Sequence, residues 1–371
     1  MNDLRTGLSY GDVLLVPNRS PVESRSDVDL STSLTPSIDL ETPLVSAAMD
    51  TVTEAELAIE LSRTGGIGVL HRFLTPAEQA EQVERVTAAG EQVAAAVGIN
   101  EDYVDRSGAL VDAGVTAIVV DVAHGHLDRT IEAVETVREV FPNVDLIAGN
   151  VATPSGVVDL ATAGADCVKV GIGPGSHCTT RKVAGVGVPQ LTAVDDCADA
   201  AKELDVTICA DGGIRTSGDA VKALMAGADT VMLGSLFAGT EEAPSDVVVV
   251  DGTRYKRSRG MATTTAAEKR DDKENNVRAD EGVEALTPYK GPAADVVAEF
   301  CAGIQSGLSY CGGHTIGEAR QNAEFIRVAA SAKEREGYHS DHDWEGVSVD
   351  STLQEVAASG GEETTGIESD D

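Results

Sequence analysis

One cysteine lies in a glycine-rich stretch whose residue types and spacing suit nucleophilic chemistry. Cys178 stands within Gly171–Arg181, which follows the apolar run Cys167–Val170. Glycines allow a tight turn and leave main-chain N–H groups available to hold an anion. A thiol in such a loop, followed by two threonines and Arg181, ionises more readily than a thiol in an apolar core. The alternative is a small cysteine packed in a loop, but the surrounding residues favour a nucleophile.

Two later glycine-containing segments, Ala210–Arg215 and Leu233–Phe237, each follow an apolar run. Backbone N–H groups in such loops can hold a phosphate without a cluster of lysines. Asp211 suits two ribose hydroxyls, because a carboxylate accepts two hydrogen bonds; the alternative is that it caps the next helix. Together with the cysteine loop, these segments predict a pocket for a nucleoside monophosphate. The residues predicted to hold its phosphate are Ser176, Gly213, Gly234 and Ser235.

A further candidate lies in the segment Asp121–His126. Asp121 offers a carboxylate to a second ribose. His124 and His126 have no third ligand spaced with them, so the pattern does not favour a metal site.

Eight apolar, β-rich runs alternate with segments of helical periodicity and must position these residues. Continuous apolar strands between amphipathic helices predict a parallel sheet covered by helices. Eight such units favour a closed (β/α)8 TIM barrel over an open doubly wound sheet, and in a barrel the strand ends carry the chemistry. The runs are Pro43–Asp50, Gly66–His71, Val93–Gly98, Ala117–His124, Leu146–Ala152, Cys167–Gly173, Val206–Gly213 and Thr230–Phe237.

The segment Asp251–Gly291 breaks this pattern, because it is rich in charge and shows no apolar period. We expect it to be a mobile flap over the active-site face, since a long insertion after the last barrel strand usually covers that face. Pro292–Gly307 and Thr315–Glu336 are predicted to be helices, the first closing the barrel. The predicted organisation is one catalytic domain, residues 1–336, and an acidic, weakly ordered tail, 337–371.

Composition limits the classes of partner. The formal net charge is −34, from 28 Lys and Arg against 62 Asp and Glu. This charge disfavours nucleic acid and indicates a surface adapted to strong salt screening, as in a salt-rich cytoplasm. The six cysteines include no C-x-x-C pair, which argues against a disulfide framework. No apolar stretch reaches the length of a membrane span, so we expect a cytoplasmic protein without membrane partners.

Several motifs in order identify a resemblance to the IMP dehydrogenase and GMP reductase family. It covers roughly Leu8 to Arg327 and implies a tetrameric (β/α)8 barrel. The motifs are Ser46–Glu54, Gly65–His71, Gly171–Arg181, Ala210–Arg215 and Leu233–Pro244.

The resemblance also implies a mechanism. Cys178 attacks purine C2 to form a covalent thioimidate, and hydride passes between that carbon and a nicotinamide; adding a nucleophile divides a hard step into two easier ones. Thr180 and Glu281 match the pair that transfers protons, and Asp121 and Asn150 match positions beside the nicotinamide riboside. Ser46 and Met261 are assigned to the nucleotide site. A monovalent cation, K+, is implied at backbone carbonyls of Gly173, Gly175 and Cys178.

The family contains two enzymes, and the flap here resembles the reductase. The dehydrogenase carries an Arg-Tyr pair in its flap that activates water, whereas Arg254-Tyr255 precedes Met261 in this chain. The 19 residues from Ala262 to Asp280 match the shorter reductase flap. Arg278 matches the reductase arginine beside the C2 substituent; the alternative is a solvated loop charge.

Other segments are less decisive. The run from Phe73 to Gln92 is too short for the paired CBS modules of most dehydrogenases. In contrast, three other segments are closer to the dehydrogenase: Ser46–Glu54, Gly65–His71 and Leu233–Pro244. Ser258 stands where the family commonly has a tyrosine that helps hold phosphate. The resemblance favours reductive deamination of GMP with NADPH. IMP dehydrogenase using NAD and a non-catalytic purine sensor remain alternatives.

Overall fold

The computed structural model describes residues 4–100, 103–176, 178–261 and 283–336. The chain divides into two compact units, Met1–Ile326 and Arg327–Asp371. The barrel and its covering helices lie in the first unit. The described part of the second unit contains one helix, and the predicted tail, 337–371, lies outside the described residues.

Three short strands precede the barrel. They are β1 (Val13–Leu15), β2 (Thr32–Thr35) and β3 (Ile38–Leu40). Strands β2 and β3 pair as an antiparallel hairpin.

Eight parallel strands form a closed barrel, which confirms the predicted fold. The last barrel strand pairs with the first, so that the ring closes. Nearly all of their residues are buried, which explains why the runs are continuously apolar and do not alternate. The barrel strands are β4 (Leu44–Ser46), β5 (Ile67–Leu70), β6 (Val93–Val97), β7 (Ala117–Asp121), β8 (Asp145–Val151), β9 (Cys167–Val170), β10 (Thr207–Asp211) and β11 (Thr230–Leu233).

The β2–β3 hairpin closes the amino-terminal end of the barrel. Its residues Leu34, Ile38 and Leu40 pack in one apolar cluster with interior residues such as Ile67. The hydroxyl of Thr207, the first residue of β10, donates to the carbonyl oxygen of Leu34 at 2.5 Å. Since this end is filled, the carboxyl ends of the strands are the face left for a binding site.

The helices surround the barrel and begin at well-formed caps. Thr75 and Thr216 each form a capping box with the acidic residue three positions later, which satisfies N–H groups at the helix start. The helices are α1 (Ala55–Arg63), α2 (Pro76–Ala88), α3 (Tyr103–Asp112), α4 (Asp128–Val140), α5 (Pro154–Thr162), α6 (Thr180–Val183), α7 (Gln190–Leu204), α8 (Ser217–Met225), α9 (Ala293–Cys311), α10 (Ile316–Asn322) and α11 (Ala330–Glu336). No helix in the described ranges is long and apolar enough to cross a membrane.

Helix α9 packs against both α8 and α1, so the prediction that this segment closes the barrel is confirmed. The prediction of one continuous helix over Thr315–Glu336 is wrong. Helix α10 ends at Asn322 because Ala323 adopts an extended conformation, and the strand β15 (Phe325–Arg327) follows. Phe325 and Ile326 favour a strand over a helix.

The ends of the predicted flap are ordered strands, so the prediction of a structureless segment is wrong there. Strands β12 (Val247–Val250), β13 (Thr253–Arg259) and β14 (Glu284–Pro288) form an antiparallel sheet. Hydrophobic periodicity misses β13 because its buried residues are Lys256 and Ser258. The ammonium group of Lys256 donates to the carbonyl oxygens of Glu241 and Ala243 at 2.8 and 2.6 Å.

Candidate active site

Two adjoining cavities open at the carboxyl ends of the barrel strands. Their volumes are about 250 Å³ and about 460 Å³, and we call them the first and the second cavity. Because a cysteine thiol borders both, groups bound in either cavity lie near it. The residues shared by the two linings are Gly175, Cys178, Asp211, Gly212 and Met261.

The loop after β9 carries Cys178 to the boundary between the cavities. Its turn is closed by the Cys178 N–H, which donates to the Gly175 carbonyl oxygen at 3.1 Å. The Arg181 guanidinium donates to the carbonyl oxygens of Ile172 and Val188 at 3.3 and 2.6 Å. Arg181 therefore holds the shape of the loop.

The thiol of Cys178 lies within reach of solvent and of a neighbouring hydroxyl. It is partly exposed and donates to the hydroxyl oxygen of Thr180 at 3.1 Å. Burial raises the pKa of each of the other five cysteines, which disfavours their thiolates. Among the six cysteines, Cys178 is the one that lines both cavities, and its role as a nucleophile stays a prediction.

Gly171 allows β9 to approach β10 at the base of this loop. A Cβ atom at this position would lie 2.0 Å from the Asp211 carbonyl oxygen. We expect Gly171→Ala to lower the free energy of unfolding by about 2–3 kcal/mol, since main-chain atoms must move to relieve the overlap. Thermal unfolding of the purified variant measures this.

The matched control for that prediction is Gly218→Ala in α8. A Cβ there would meet only the Thr216 hydroxyl oxygen, at 3.7 Å, and alanine favours the helix by about 0.5–1 kcal/mol. Equal stability of the two variants would contradict the close approach at Gly171.

The first cavity brings together most of the residues predicted to bind a nucleotide. Gly212 and Gly213 have φ values of +92° and +78°, which glycine adopts without strain. Asp211 does not cap the following helix, because Thr216 does. The predicted residues in its lining are Ser176, Asp211, Gly213, Gly234, Ser235 and Met261.

Ser46 is a predicted nucleotide residue that the structure does not bring to either cavity. Its side chain is fully buried and its hydroxyl oxygen accepts a hydrogen bond from Thr53 at 2.8 Å. The neighbouring Ala47 lines the first cavity instead. Ser46 therefore supports the end of β4 and lines neither cavity.

The second cavity is lined by Asp121 and Asn150, the two residues predicted to bind a cofactor, together with Arg72 and Phe73. Burial by itself raises the pKa of Asp121, but Lys169, and less strongly Arg72, outweigh this and lower it. Asp121 is therefore held as a carboxylate, a suitable acceptor for ribose hydroxyls.

Sequence reasoning missed Lys169, whose side chain is only 3% exposed. Its ammonium nitrogen lies 2.5 Å from Asp121 Oδ1, 2.8 Å from Asn150 Oδ1 and 3.2 Å from Asp211 Oδ2. Burial opposes its charge, but the two carboxylates raise the pKa of Lys169 above its ordinary value. The available signal was a lone lysine inside the apolar strand β9, because a buried charge needs partners.

Sequence reasoning also missed an ion pair that holds the segment leading to Met261. Arg259 Nε donates to Asp50 Oδ1 at 3.0 Å, and a second contact joins the same two side chains. The Arg259 N–H donates to the Thr51 hydroxyl at 3.3 Å. These contacts join β13 to the loop after β4 and place Met261 against both cavities.

Two predicted residues, Arg278 and Glu281, lie outside the described residues. Of the two histidines in Asp121–His126, His126 pairs with Asp159 at 2.7 Å. Across the described part of the chain, no group of three or more His, Cys, Asp or Glu residues is arranged to hold a metal.

Ser258 and the Arg254-Tyr255 pair lie away from both cavities. The hydroxyl groups of Ser258 and Thr287 are 2.8 Å apart within the three-stranded sheet. The Arg254 guanidinium lies 4.2 Å from the centre of the Tyr289 ring, and Tyr255 pairs with β12 and β14. None of the three lines the first or the second cavity.

A family model described as IMP dehydrogenase / GMP reductase domain matches residues 7–339. The curated relatives include proteins named inosine-5'-monophosphate dehydrogenase and proteins named GMP reductase. The inosine-5'-monophosphate dehydrogenase of Nitrosopumilus maritimus is 36% identical over 88% of this chain and 97% of its own length. That of Borreliella burgdorferi is 39% identical over 88% of this chain and 95% of its own length. The GMP reductase of Leishmania major is 35% identical over 91% of this chain and 97% of its own length.

The lengths of these alignments differ. The N. maritimus and L. major alignments span 460 and 478 positions, which exceeds the 371 residues of this chain by 89 and 107. The B. burgdorferi alignment spans only 387 positions. A relative of each name has additional residues that are absent here, and one dehydrogenase has few of them. The shortness of this chain therefore does not discriminate between the two names.

Proposed function

The chain belongs to the IMP dehydrogenase and GMP reductase family, and from this premise we propose that it is a GMP reductase. The proposed reaction converts GMP, NADPH and two protons into IMP, ammonium and NADP+. The family as a whole acts on purine nucleotides with a nicotinamide cofactor, so the choice of reaction is the step that needs its own support.

The observation that carries the proposal is the position of the Arg-Tyr pair. A dehydrogenase must hydrolyse its covalent intermediate and needs a group that activates water within reach. Arg254-Tyr255 is the single Arg-Tyr dipeptide in the sequence, and Arg254 stacks on Tyr289 in the three-stranded sheet. A reductase needs no such group, because its intermediate accepts hydride.

In the proposed reaction, the Cys178 sulfur forms a bond to purine C2, and the C2–N bond to the amino group breaks, releasing ammonia after protonation. The Thr180 hydroxyl, 3.1 Å from that sulfur, can donate a hydrogen bond to the thiolate once the thiol has lost its proton. Glu281 is proposed to exchange the protons with Thr180. Hydride addition at C2 and departure of the sulfur then give IMP.

The first cavity is proposed to hold the nucleotide. Ser176, Gly213, Gly234 and Ser235 are proposed to bind the phosphate, largely through main-chain N–H groups. Asp211 is proposed to accept the ribose hydroxyls, which places the base toward Cys178 at the cavity boundary.

The second cavity fits the nicotinamide end of NADPH, which supplies hydride when bound. It adjoins the thiol, and it offers the Asp121 carboxylate to ribose hydroxyls. Asn150 is also proposed to contact this end. The Phe73 ring in its lining adds an apolar surface for a flat heterocycle. NADPH rather than NADH follows from the proposed reductase activity.

IMP dehydrogenase is the second candidate, because three motifs outside the flap are closer to that enzyme and relatives of that name match most of this chain. Purified protein should be incubated with GMP and NADPH, and separately with IMP and NAD+, both in high potassium salt. We expect ammonia release with loss of NADPH absorbance in the first mixture. NADH formation in the second mixture alone would overturn the proposal in favour of the dehydrogenase. Bound GMP without either reaction would favour a sensor.

Arg278 gives a test specific to the reductase. If it orients the leaving amine, Arg278→Ala should lower kcat for GMP by about 100-fold and leave the dissociation constant of IMP within about twofold, since IMP lacks that amine. Steady-state kinetics and IMP titration measure the two effects. Arg270→Ala is the matched control in the same segment, and an equal loss in both variants would contradict a specific role.

The net charge of −34 predicts salt-dependent stability. Raising KCl from about 0.1 M to about 1 M shortens the screening length from about 10 Å to about 3 Å, which weakens repulsion among surface carboxylates. We expect the Tm to rise by roughly 5–10 °C. NaCl at equal ionic strength should give the same rise.

The same salts test the proposed K+ site. Activity that rises with KCl but not with NaCl would support a specific cation at Gly173, Gly175 and Cys178, separately from general screening. A Tm that stays constant or falls with both salts would contradict the screening argument. The homotetramer implied by the family resemblance is likewise a proposal, and gel filtration with light scattering in the same buffers measures it.

A further inference from the structure

One buried ammonium group connects the two cavities. Lys169 contacts Asp211, which lines both cavities, and also Asp121 and Asn150, which line only the second. We call Asp121, Asn150, Lys169 and Asp211 the lysine cluster. Asn150 adds a direct link, because its side-chain N–H donates to Asp211 Oδ2 at 2.8 Å.

The hydrogen bonds within the lysine cluster leave defined oxygens for ligands. An ammonium group has three N–H donors, and Lys169 has one acceptor for each. Both protein donors to Asp211 use its Oδ2 atom, and Lys169 uses Oδ1 of Asp121. Within the described residues, Asp211 Oδ1 and Asp121 Oδ2 accept no hydrogen bond, so each carboxylate keeps one oxygen that can accept a hydrogen bond from a ligand.

We infer that Lys169 is a positioning residue that couples nucleotide binding in the first cavity to cofactor binding in the second. The identity of the two ligands rests on the proposed function. Two carboxylates share one cation, so the cluster carries a net charge of −1, and each ligand contributes hydroxyl donors to it.

The coupling has a physical cause in the shared contacts. When ribose hydroxyls donate to Asp211 Oδ1, they fix the rotation of that carboxylate, and its Oδ2 then fixes Lys169 and Asn150. Lys169 in turn fixes Asp121. The second ligand therefore binds a site whose acceptors are already ordered and loses less conformational freedom, which gives positive cooperativity without a large structural change.

The coupling is measured as a ratio of dissociation constants in the Cys178→Ala chain, which removes turnover. NADP+ is titrated with and without saturating GMP, and NAD+ with and without saturating IMP. We expect the nucleotide to tighten cofactor binding by at least about 5-fold, and the cofactor to tighten nucleotide binding by the same factor. Lys169→Met should reduce this factor below about 2-fold, because methionine keeps an unbranched side chain that is one atom shorter and donates no hydrogen bond.

Phe73→Leu is the matched control. Phe73 lines the second cavity and lies outside the lysine cluster, so its replacement should weaken the cofactor in the presence and absence of nucleotide alike. A merely structural role of Lys169 predicts the same behaviour for Lys169→Met: weaker binding with an unchanged ratio.

A second measurement needs no change at Lys169 and applies even if Lys169→Met does not fold. In the Cys178→Ala chain, the 2′-deoxy and 3′-deoxy forms of the nucleotide should each tighten the cofactor less than the parent nucleotide does. An unchanged ratio in folded Lys169→Met, or a ratio that both deoxy forms leave unchanged, overturns the inference. The absence of coupling with either ligand pair overturns it as well. Binding of IMP and NAD+ without binding of GMP and NADP+ would instead overturn the reductase proposal, and the coupling is then decided on the pair that binds.

Discussion

Replacing Cys178 by alanine is expected to reduce turnover by about 10⁴-fold or more, because removal of a catalytic nucleophile leaves only the binding contribution to rate. Cys178 is the cysteine at the boundary of the two cavities, with its sulfur 3.1 Å from the Thr180 hydroxyl. The variant should still bind GMP and IMP with dissociation constants within about 5-fold of the parent, since the phosphate and ribose contacts remain. Turnover assays and nucleotide titration measure both effects.

Cys301→Ala is the control for this prediction. Cys301 lies on α9 and burial raises its pKa to about 11, so its thiol is unsuited to nucleophilic attack. We expect unchanged turnover in that variant. Substantial activity in Cys178→Ala would rule out the covalent mechanism for this chain.

Replacing Asp211 by asparagine is expected to lower kcat/KM for GMP by about 100-fold. A hydrogen bond to a charged group contributes about 1.5–3 kcal/mol, and the amide loses the charge that both the ribose hydroxyls and Lys169 contact. The effect should fall mainly on KM, because the proposed role of Asp211 is to bind the ribose and not to act on the reacting carbon. Steady-state kinetics measure it.

Deoxy nucleotides separate this role from a general loss of structure. The parent chain should lose about 10- to 100-fold in kcat/KM when a ribose hydroxyl that contacts Asp211 is removed, whereas Asp211→Asn should lose only a few-fold more. Asp159→Asn is the control: Asp159 pairs with His126 on the same end of the barrel, is 48% exposed and lines neither cavity. Equal losses in the parent and in Asp211→Asn would contradict the ribose contact.

The barrel could be predicted from sequence because its signal repeats. Eight largely apolar runs recur along the chain, and each forms a strand that is buried on both faces of the closed sheet. The site could be predicted in part from the positions of the strands, because the residues at the carboxyl ends of barrel strands lie on one face of the barrel. Asp121, Asn150 and Asp211 come from three strands and meet in one hydrogen-bonded cluster.

The features that sequence did not predict depend on contacts between distant segments. Lys169 belongs to a buried strand, and only its partners from other strands make its charge stable there. Ser46 was assigned by family resemblance, yet its hydroxyl contacts Thr53 and not a cavity. The strand Thr253–Arg259 escaped prediction because a lysine and a serine occupy its buried positions, which hides the usual alternation.

The body of the chain and the segment after Met261 point to different members of the family. Motifs such as Gly65–His71 belong to the barrel, and a barrel that binds GMP or IMP is required by both reactions. The reactions differ once the covalent intermediate has formed, because the dehydrogenase hydrolyses it and the reductase adds hydride to it. Residues near that step therefore discriminate more strongly than overall identity, which is 39% for one dehydrogenase and 35% for one reductase.

The proposed chemistry requires a covalent bond between the Cys178 sulfur and purine C2. The chain should be mixed with GMP without cofactor, or with IMP and NAD+, quenched in acid, digested and analysed by mass spectrometry. GMP that loses its amino group and IMP that loses hydride give the same purine adduct, so this measurement does not depend on which reaction the chain performs. We predict that adduct on the peptide containing Cys178 and its absence in Cys178→Ala. Turnover without any adduct at Cys178, or an adduct at a different cysteine, would contradict the account.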